Sequence, residues 1–252
     1  DGDIASGTFD VTVSNVAPAV EAGNDQSAAE GDTVSLDPAT FTDVGSMDTH
    51  TAEIDWGDGN TDTVNPATSP VNGSHVYADN GIYTVTVTVT DDDGGVGSDT
   101  LTVTVSNAAA AVEAGVDQTA DEGATVSLDP ATFTDAGTGD THTAEIDWGD
   151  GTVEAGTVTQ GVGSGSVSGS HVYADNGSYT VTVTVTDDDG DIASDTFAVT
   201  VGNVAPAYLP PLDQGSNEAE NKTFELGTFT DAGSGDTHTA TVDWGDGAAV
   251  EN

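Results

Sequence analysis

The amino-acid sequence predicts an all-β chain of tandem antiparallel β-sandwiches. Apolar and polar residues alternate in many segments of the 252-residue chain, the pattern of strands with one buried face. Long sequence strings recur nearly unchanged, which indicates repeated domains. No segment carries the apolar stripe of period 3.6 that an amphipathic helix requires. Short strands separated by Gly and Asp turns are typical of sandwiches.

The strands follow from the alternation of side chains. In Tyr83–Val89, every second residue is Tyr or Val and the others are Thr. In Thr51–Trp56, Ala52, Ile54 and Trp56 share one face. The same alternation predicts strands at Tyr179–Val185, Leu101–Val105 and Phe197–Val201. Turn signals separate the strands at Glu30-Gly31, Gly57-Asp58-Gly59, Asp79-Asn80-Gly81 and Asp93-Gly94-Gly95.

The repeat boundaries follow from the string DTHTAEIDWGDG, which occupies Asp48–Gly59 and Asp140–Gly151 and recurs in a close copy at Asp236–Gly247. The spacing predicts a closing strand of a preceding repeat at 1–15, a first repeat at 16–107, a second at 108–203 and an incomplete, divergent third at 204–252. We expect the chain to be one window of a longer array. The second repeat has four extra residues between Trp148 and His171, where GVGSGSVSGS (161–170) predicts a lengthened surface loop.

The composition excludes several classes of function. The chain has 45 Asp and Glu against one Lys, Lys222, and no Arg, so its formal charge is −44. Binding to nucleic acid or to an anionic membrane surface needs basic side chains, and we predict neither. No apolar run reaches the length of about 18 residues that a membrane span requires. The absence of Cys leaves packing and ions to stabilise the fold.

Two motifs resemble those of a known family. An aromatic residue followed by Gly-Asp-Gly occurs in 55–59, 147–151 and 243–247, and His-x-Tyr followed by Gly-x-Tyr-x-Val and an acidic turn occurs in 75–91 and 171–187. In these motifs the chain resembles the PKD (polycystic kidney disease) domain, an immunoglobulin-like β-sandwich of surface and secreted proteins of bacteria and archaea. The family usually has Trp two positions before the aromatic residue, whereas this chain has Ile54, Ile146 and Val242.

The resemblance implies a non-catalytic segment of an extracellular or cell-surface stalk, adhesin or filament, and some members of the family are stiffened by calcium. The implied partners are neighbouring repeats of the same chain, and other copies in a filament or a surface glycan are further candidates. A carbohydrate- or protein-binding accessory module of a secreted protein is the alternative function. We predict no enzyme, because Asp55 and Asp58 are better explained as a strand residue and a turn residue than as a glycosidase pair.

The carboxylates point to calcium. In an immunoglobulin-like topology, the acidic turn and the loop between the second and third strands lie at one pole of each sandwich, where repulsion would favour bound Ca²⁺. The predicted ligands are Asp43, Asp48, Asp91, Asp92, Asp93, Asp135, Asp140, Asp187, Asp188, Asp189, Asp231 and Asp236. We place Glu30, Asp32, Asp58 and Asp79 at the opposite pole, and we expect Ca²⁺ at or near each junction between repeats.

A competing interpretation of the acidity is solubility alone, with high salt screening the repulsion. The five histidines, His50, His75, His142, His171 and His238, are predicted to be hydrogen-bonded structural residues. A zinc site needs several N or S ligands at close quarters, and the chain has neither Cys nor paired histidines.

Overall fold

The computed structural model describes residues 1–129, 131–245 and 247. The described residues form strands, turns and irregular segments, with no helix among them. The chain divides into two compact units. The first contains Asp1–Ala108 together with Ala136–Asp140, and the second contains Ala109–Asp135 together with Thr141–Asn252.

The first unit contains the first repeat, in which a five-stranded sheet faces two short two-stranded sheets. The five-stranded sheet has the order β2-β9-β8-β5-β6, and the short sheets pair β1 with β4 and β3 with β7. The strands are β1 (Ala19–Glu21), β2 (Gln26–Ala29), β3 (Thr33–Ser35), β4 (Thr40–Thr42), β5 (His50–Asp55), β6 (Thr61–Ala67), β7 (Ser74–Val76), β8 (Gly81–Asp91) and β9 (Val96–Ser106).

The core of the first repeat lies between these sheets. Val85, Val87 and Val89 of β8 are buried, and the threonines between them are more exposed, as the alternation predicts. Trp56 is also in the core at 1% exposure, directly after β5. The predicted strand faces are therefore confirmed in this repeat, and one buried face explains why the acidic chain folds.

One strand pair per complete repeat runs parallel. Strand β2 pairs in parallel with β9, from Gln26 opposite Val103 to Ala29 opposite Ser106. The pairs β5 with β8 and β8 with β9 are antiparallel. The alternation of side chains is the same for both directions, so the sequence pattern does not reveal the parallel pair.

The second unit contains the second repeat, whose main sheet has eight strands. Its order is β10-β13-β16-β15-β14-β18-β19-β11, and β12 pairs separately with β17. The strands are β10 (Ala111–Glu113), β11 (Gln118–Asp121), β12 (Thr125–Ser127), β13 (Ala131–Thr134), β14 (His142–Asp147), β15 (Val153–Gly161), β16 (Ser164–Ser168), β17 (Ser170–Val172), β18 (Gly177–Asp187) and β19 (Ile192–Gly202). Strand β11 pairs in parallel with β19, as β2 does with β9.

The lengthened surface loop predicted at 161–170 is wrong. The segment turns at Val162 and Gly163 and returns as β16, which pairs with β15 on one side and β13 on the other. Val167 of β16 is buried at 1% exposure. One valine among serines and glycines is a weak strand signal, but its burial between two existing strands stabilises the hairpin.

The third repeat is represented by β20 (Ala207–Leu209) and β21 (Thr228–Thr230), which pair with each other. Its apolar residues are largely exposed, including Trp244 at 51%. Asp246 of its Gly-Asp-Gly motif lies outside the described residues.

Residues 1–15, expected as a closing strand, are exposed and form no strand in the structure. An unpaired strand has no ladder of hydrogen bonds to hold it.

Candidate metal-binding clusters

The first cluster consists of Asp43, Asp48 and Asp91, three of the predicted ligands. One carboxylate oxygen of each lies within 4.8 Å of the others. Asp43 follows β4, Asp48 precedes β5 and Asp91 ends β8, which pairs with β5. The folding of the first sandwich therefore brings together residues that are 48 positions apart in the chain.

Asp91 is the anchored member of this cluster. It is 4% exposed, and the side-chain amide of Asn15 donates to its Oδ1 at 3.1 Å and to its Oδ2 at 2.9 Å. The backbone N–H groups of Asp93 and Gly95 donate to Oδ1 at 3.0 and 2.7 Å. The Asn15 hydrogen bond is the largest cause of the lowered pKa of Asp91.

Asp43 and Asp48 differ in their surroundings. His50 Nε2 lies 2.8 Å from Asp43 Oδ2, and this hydrogen bond is the main cause of the lowered pKa of Asp43. The pKa of Asp48 is raised by burial first and then by the charges of Asp43, Asp92, Asp93 and Asp91. Burial and the surrounding negative charges therefore both disfavour the charged form of Asp48.

The other acidic-turn residues have separate positions. Asp92 Oδ1 accepts the N–H of Thr49 at 2.9 Å, and Asp188 Oδ1 accepts that of Thr141 at 2.8 Å. Asp93 and Asp189 are exposed. Asp187 Oδ1 accepts the N–H groups of Gly190 and Asp191 at 2.8 and 2.9 Å. Asp187 thus closes the turn after β18, and Asp92 and Asp188 link their turns to the residues before β5 and β14, so these three aspartates also have a structural role.

The remaining predicted ligands fall into different groups. Asp135 in the second unit pairs with His142 at 2.8 Å, with both side chains fully buried. Asp140 lies in the first unit, where one of its oxygens is within 4.8 Å of those of Glu30 and Asp79.

Asp236 belongs to two overlapping groups of the second unit, one with Asp231 and His238 and the other with Glu122 and Asp175. Burial first, and then the charges of Glu122, Asp231 and Asp175, raises the pKa of Asp236. Glu30, Asp79, Glu122 and Asp175 are absent from the predicted ligands. The sequence does carry a signal for the two glutamates: a Glu precedes Gly at the same position of both repeats, as Glu30-Gly31 and Glu122-Gly123.

The donor set of these clusters suits Ca²⁺. Carboxylate oxygens are hard ligands, and oxygens on opposite sides of a Ca²⁺ ion are about 5 Å apart, given Ca–O distances of about 2.3–2.6 Å. The three ligand atoms of each cluster lie within 4.8 Å of one another, close enough for one ion to contact all three. The assignment of metal ligands stays a prediction.

Every histidine of the chain pairs with an aspartate, a contact that the sequence analysis did not specify. The five pairs have N–O distances of 2.6–2.8 Å: His50–Asp43, His75–Asp58, His142–Asp135, His171–Asp150 and His238–Asp231. Each pair occupies one of two repeating positions, in the DTHT and SHVY strings. The prediction of hydrogen-bonded histidines agrees with these contacts.

The Gly-Asp-Gly motif is part of an aromatic column. His75 stacks on Trp56 with 5.2 Å between ring centroids and meets Tyr77 edge-on at 4.7 Å. The Tyr77 hydroxyl donates to the Trp56 carbonyl at 2.9 Å, and burial raises the pKa of Tyr77 to about 12. His75 Nε2 is hydrogen-bonded to Asp58 Oδ2 at 2.6 Å. Asp58 Oδ1 also accepts the N–H of Asn60 at 3.0 Å. Asp58 thus orients a histidine and closes a turn.

The fold and these clusters define a class of tandem immunoglobulin-like β-sandwich proteins with acidic loops. The family model of the PKD domain matches residues 15–105 and 107–201, more than half of the chain. The chain therefore belongs to the PKD domain family. Tandem PKD and immunoglobulin-like domains are typical of extracellular structural or adhesion modules and are generally non-catalytic.

Solved structures with similar domains include the PKD domain of an M14-like peptidase from Thermoplasmatales archaeon SCGC AB-540-F20, at 29% identity and a TM-score of 0.31 over 35% of this chain and 92% of that chain. Mouse Cadherin-23 EC22-24 is similar at 16% identity and a TM-score of 0.33, over 86% of this chain and 78% of that one. No curated protein matched the sequence. In the described residues, no helix is long and apolar enough to cross a bilayer.

Proposed function

We propose that this chain is a structural spacer segment of an extracellular or cell-surface stalk, adhesin or filament, and that its first cluster, Asp43, Asp48 and Asp91, binds Ca²⁺. Its mechanism is mechanical: sandwich domains carry load, and bound ions hold the loops at their ends. The partners that matter for this function are neighbouring repeats of the same chain.

The parallel pairing of β2 with β9 is the observation that carries the spacer function. Strand β2 lies near the beginning of the first repeat, and β9 is its last strand. Because the two strands are parallel, pulling the ends of the repeat apart slides one strand along the other. The hydrogen bonds between Gln26–Ala29 and Val103–Ser106 are then loaded together rather than one at a time. The pair β11 with β19 gives the second repeat the same arrangement.

Calcium accounts for the cluster of Asp43, Asp48 and Asp91. Two charges 4 Å apart repel by about 1 kcal/mol in water and by about 4 kcal/mol at an effective dielectric constant of 20. With a formal charge of −44 and one Lys, the chain has almost no basic side chains to offset such repulsion. A bound Ca²⁺ ion would convert the repulsion at Asp48 into a link between the β4–β5 loop and the turn after β8.

Stretching the chain by its two ends in an optical trap tests both parts of the proposal. We expect each complete repeat to extend in one cooperative step, at higher force in Ca²⁺ than in EGTA at the same ionic strength. The Asp48→Asn variant should lose most of this gain in the first repeat. Glu53→Gln is the matched control, because it removes one exposed negative charge on β5 and should keep the gain.

Three outcomes would count against parts of the proposal. Gradual extension at low force would overturn the spacer function. Equal forces in Ca²⁺ and EGTA would overturn calcium binding. Equal strengthening by NaCl or KCl would show that charge screening alone accounts for the acidity.

A further inference from the structure

Glu122 is a buried carboxylate whose hydrogen bonding is incomplete. It follows β11 directly and is 2% exposed. Its Oε1 accepts the N–H of Val204 at 2.6 Å. Its Oε2 is buried and has no hydrogen-bond partner among the residues that the structure describes. A buried charged oxygen without a partner is rare in folded proteins, because burial removes its hydration.

Two further carboxylates converge on Glu122. One oxygen each of Glu122, Asp175 and Asp236 lies within 4.8 Å of the others. Asp175 belongs to the exposed turn before β18, and Asp236 belongs to the loop 231–238 of the third repeat. Both loops lie in the second unit together with Glu122.

The backbone holds the loop 231–238 against Glu122. The N–H of Gly235 donates to the carbonyl of Ala174 at 2.9 Å, which places Asp236 beside Asp175. Gly233 is buried, and a Cβ at this position would lie 2.7 Å from the carboxylate carbon of Glu122. A side chain at position 233 would therefore require the Glu122 carboxylate or the loop to shift.

The same arrangement occurs in the first unit, which includes residues 136–140. Oxygens of Glu30, Asp79 and Asp140 lie within 4.8 Å of one another, and the N–H of Gly139 donates to the carbonyl of Ala78 at 2.7 Å. Glu30 Oε1 accepts the N–H of Ala108 at 2.7 Å, as Glu122 Oε1 accepts that of Val204. The arrangement therefore recurs with the repeat, because the SHVYADNG and GDTHT strings that carry Asp79, Asp175, Asp140 and Asp236 are themselves repeated.

Protein cations do not neutralise the Glu122 cluster. Lys222 is the only Lys or Arg in the sequence, and its ammonium group contacts the Gly215 carbonyl and the Phe224 ring. His238 is the nearest histidine in the loop, and its Nε2 is hydrogen-bonded to Asp231. An external cation among these three carboxylates would offset their repulsion and give the buried Glu122 Oε2 a partner.

We propose that Glu122, Asp175 and Asp236 form a binding site for a divalent cation with oxygen ligands, best suited to Ca²⁺, which fastens the loop 231–238 to the second repeat. Glu30, Asp79 and Asp140 form the equivalent site of the first unit. The inference rests on the proposed function, because both assign Ca²⁺ to acidic clusters of this chain. The clusters themselves are separate, since Glu122 and Asp175 do not belong to the cluster of Asp43, Asp48 and Asp91. The two kinds of site can therefore fail separately.

Calorimetric titration of the metal-free chain with CaCl₂ at constant ionic strength tests the site. Glu122→Gln and Asp175→Asn should each bind one Ca²⁺ fewer than the wild type, or bind one Ca²⁺ about tenfold or more weakly. Asp175 is exposed, so we expect its replacement to leave the fold intact. Glu145→Gln is the control, since it removes an exposed charge of β14 and should leave the titration unchanged.

Hydrogen exchange at Gly235 provides a second measurement. Ca²⁺ should slow the exchange of this amide in the wild type and in Glu145→Gln, and should have no such effect in Glu122→Gln. In EGTA, Glu122→Gln should be at least as stable as the wild type, because it removes an uncompensated buried charge.

The outcomes separate the two proposals. If Glu122→Gln and Asp175→Asn bind Ca²⁺ as the wild type does while Asp48→Asn loses a site, this inference is overturned and the proposed function stands. If Asp48→Asn binds as the wild type does and Glu122→Gln loses a site, calcium acts at the Glu122 cluster and not at the Asp48 cluster. Tighter binding of Mg²⁺ than Ca²⁺ would reject the assignment of the ion.

Discussion

Each complete repeat has its own core of corresponding residues, but the strands that cover the two cores differ. Phe41 of β4 is half-buried, whereas its counterpart Phe133 of β13 is 1% exposed. In the second repeat, β16 pairs with β13 and places Gly165 opposite Phe133. In the first repeat, the corresponding segment forms an isolated bridge between Ala39 and Val71 in place of a strand, and Ser69 Oγ accepts the N–H of Phe41 at 3.1 Å.

Two prolines account for much of this difference. Pro66 and Pro70 of the first repeat lie in the segment that corresponds to the β15–β16 hairpin, and neither has an N–H group to donate to a neighbouring strand. The second repeat has no proline there and has four additional residues. A small change in one connection therefore joins two sheets into one.

The tryptophans show a second difference. Trp56 Nε1 donates to Asp62 Oδ2 at 2.9 Å. Glu154 stands at the position of Asp62, and the buried Nε1 of Trp148 has no hydrogen-bond partner among the described residues. Identical core residues thus do not ensure identical polar contacts.

The largest expected effect concerns the phenylalanine pair. Phe133→Ala should lower the free energy of unfolding of the second repeat by about 3–5 kcal/mol, because it empties a fully buried site. Phe41→Ala should cost the first repeat about half as much, since its ring is already partly hydrated. Hydrogen exchange of amides in β18 and β8 measures each repeat separately. Equal losses would show that β16 does not improve the packing of Phe133.

A smaller effect is expected at the tryptophan partner. Asp62→Ala should cost the first repeat about 1–3 kcal/mol, because it leaves the buried Trp56 N–H unsatisfied. Glu154→Ala should change the stability of the second repeat by less than about 0.5 kcal/mol. Urea unfolding followed by tryptophan fluorescence tests the pair, and a comparable loss in both variants would contradict the assigned hydrogen bond.

The smallest expected effects concern the pH dependence of stability, to which Asp43 and Asp48 of the first cluster should contribute with opposite sign. The lowered pKa of Asp43 adds stability above its unfolded-state value, and this stability is lost as the pH falls through the folded-state value. The raised pKa of Asp48 subtracts stability at neutral pH, and the loss is relieved as the pH falls through the raised value.

In EGTA at neutral pH, Asp43→Asn should therefore lower the melting temperature and Asp48→Asn should raise it. Both differences should shrink as the pH approaches and passes below 3.8, the ordinary carboxyl value. Asp135→Asn in the second repeat should destabilise more than Asp43→Asn, because the Asp135–His142 pair is fully buried. Differences of the same sign for Asp43→Asn and Asp48→Asn would contradict the described electrostatics.

The sequence alone determined the long core strands and the family. The alternation in Tyr83–Val89 and Thr51–Trp56 identified the buried faces, because a strand with one buried face must repeat every two residues. The spacing of the DTHT and SHVY strings revealed the repeats. The sequence also showed that the loops are acidic, but loop composition does not indicate which carboxylates lie close together in the fold.

Only the tertiary structure decided which residues share a site. The parallel pairing of β2 with β9, the hairpin that buries Val167 and the approach of Asp236 to Glu122 join positions far apart in sequence. Local patterns report the period of a strand and the tendency to turn, whereas these contacts depend on how sheets and loops pack. The buried Glu122 carboxylate was readable in the sequence only as one more acidic residue, because its burial arises from the Val204 and Gly233 backbone that closes over it.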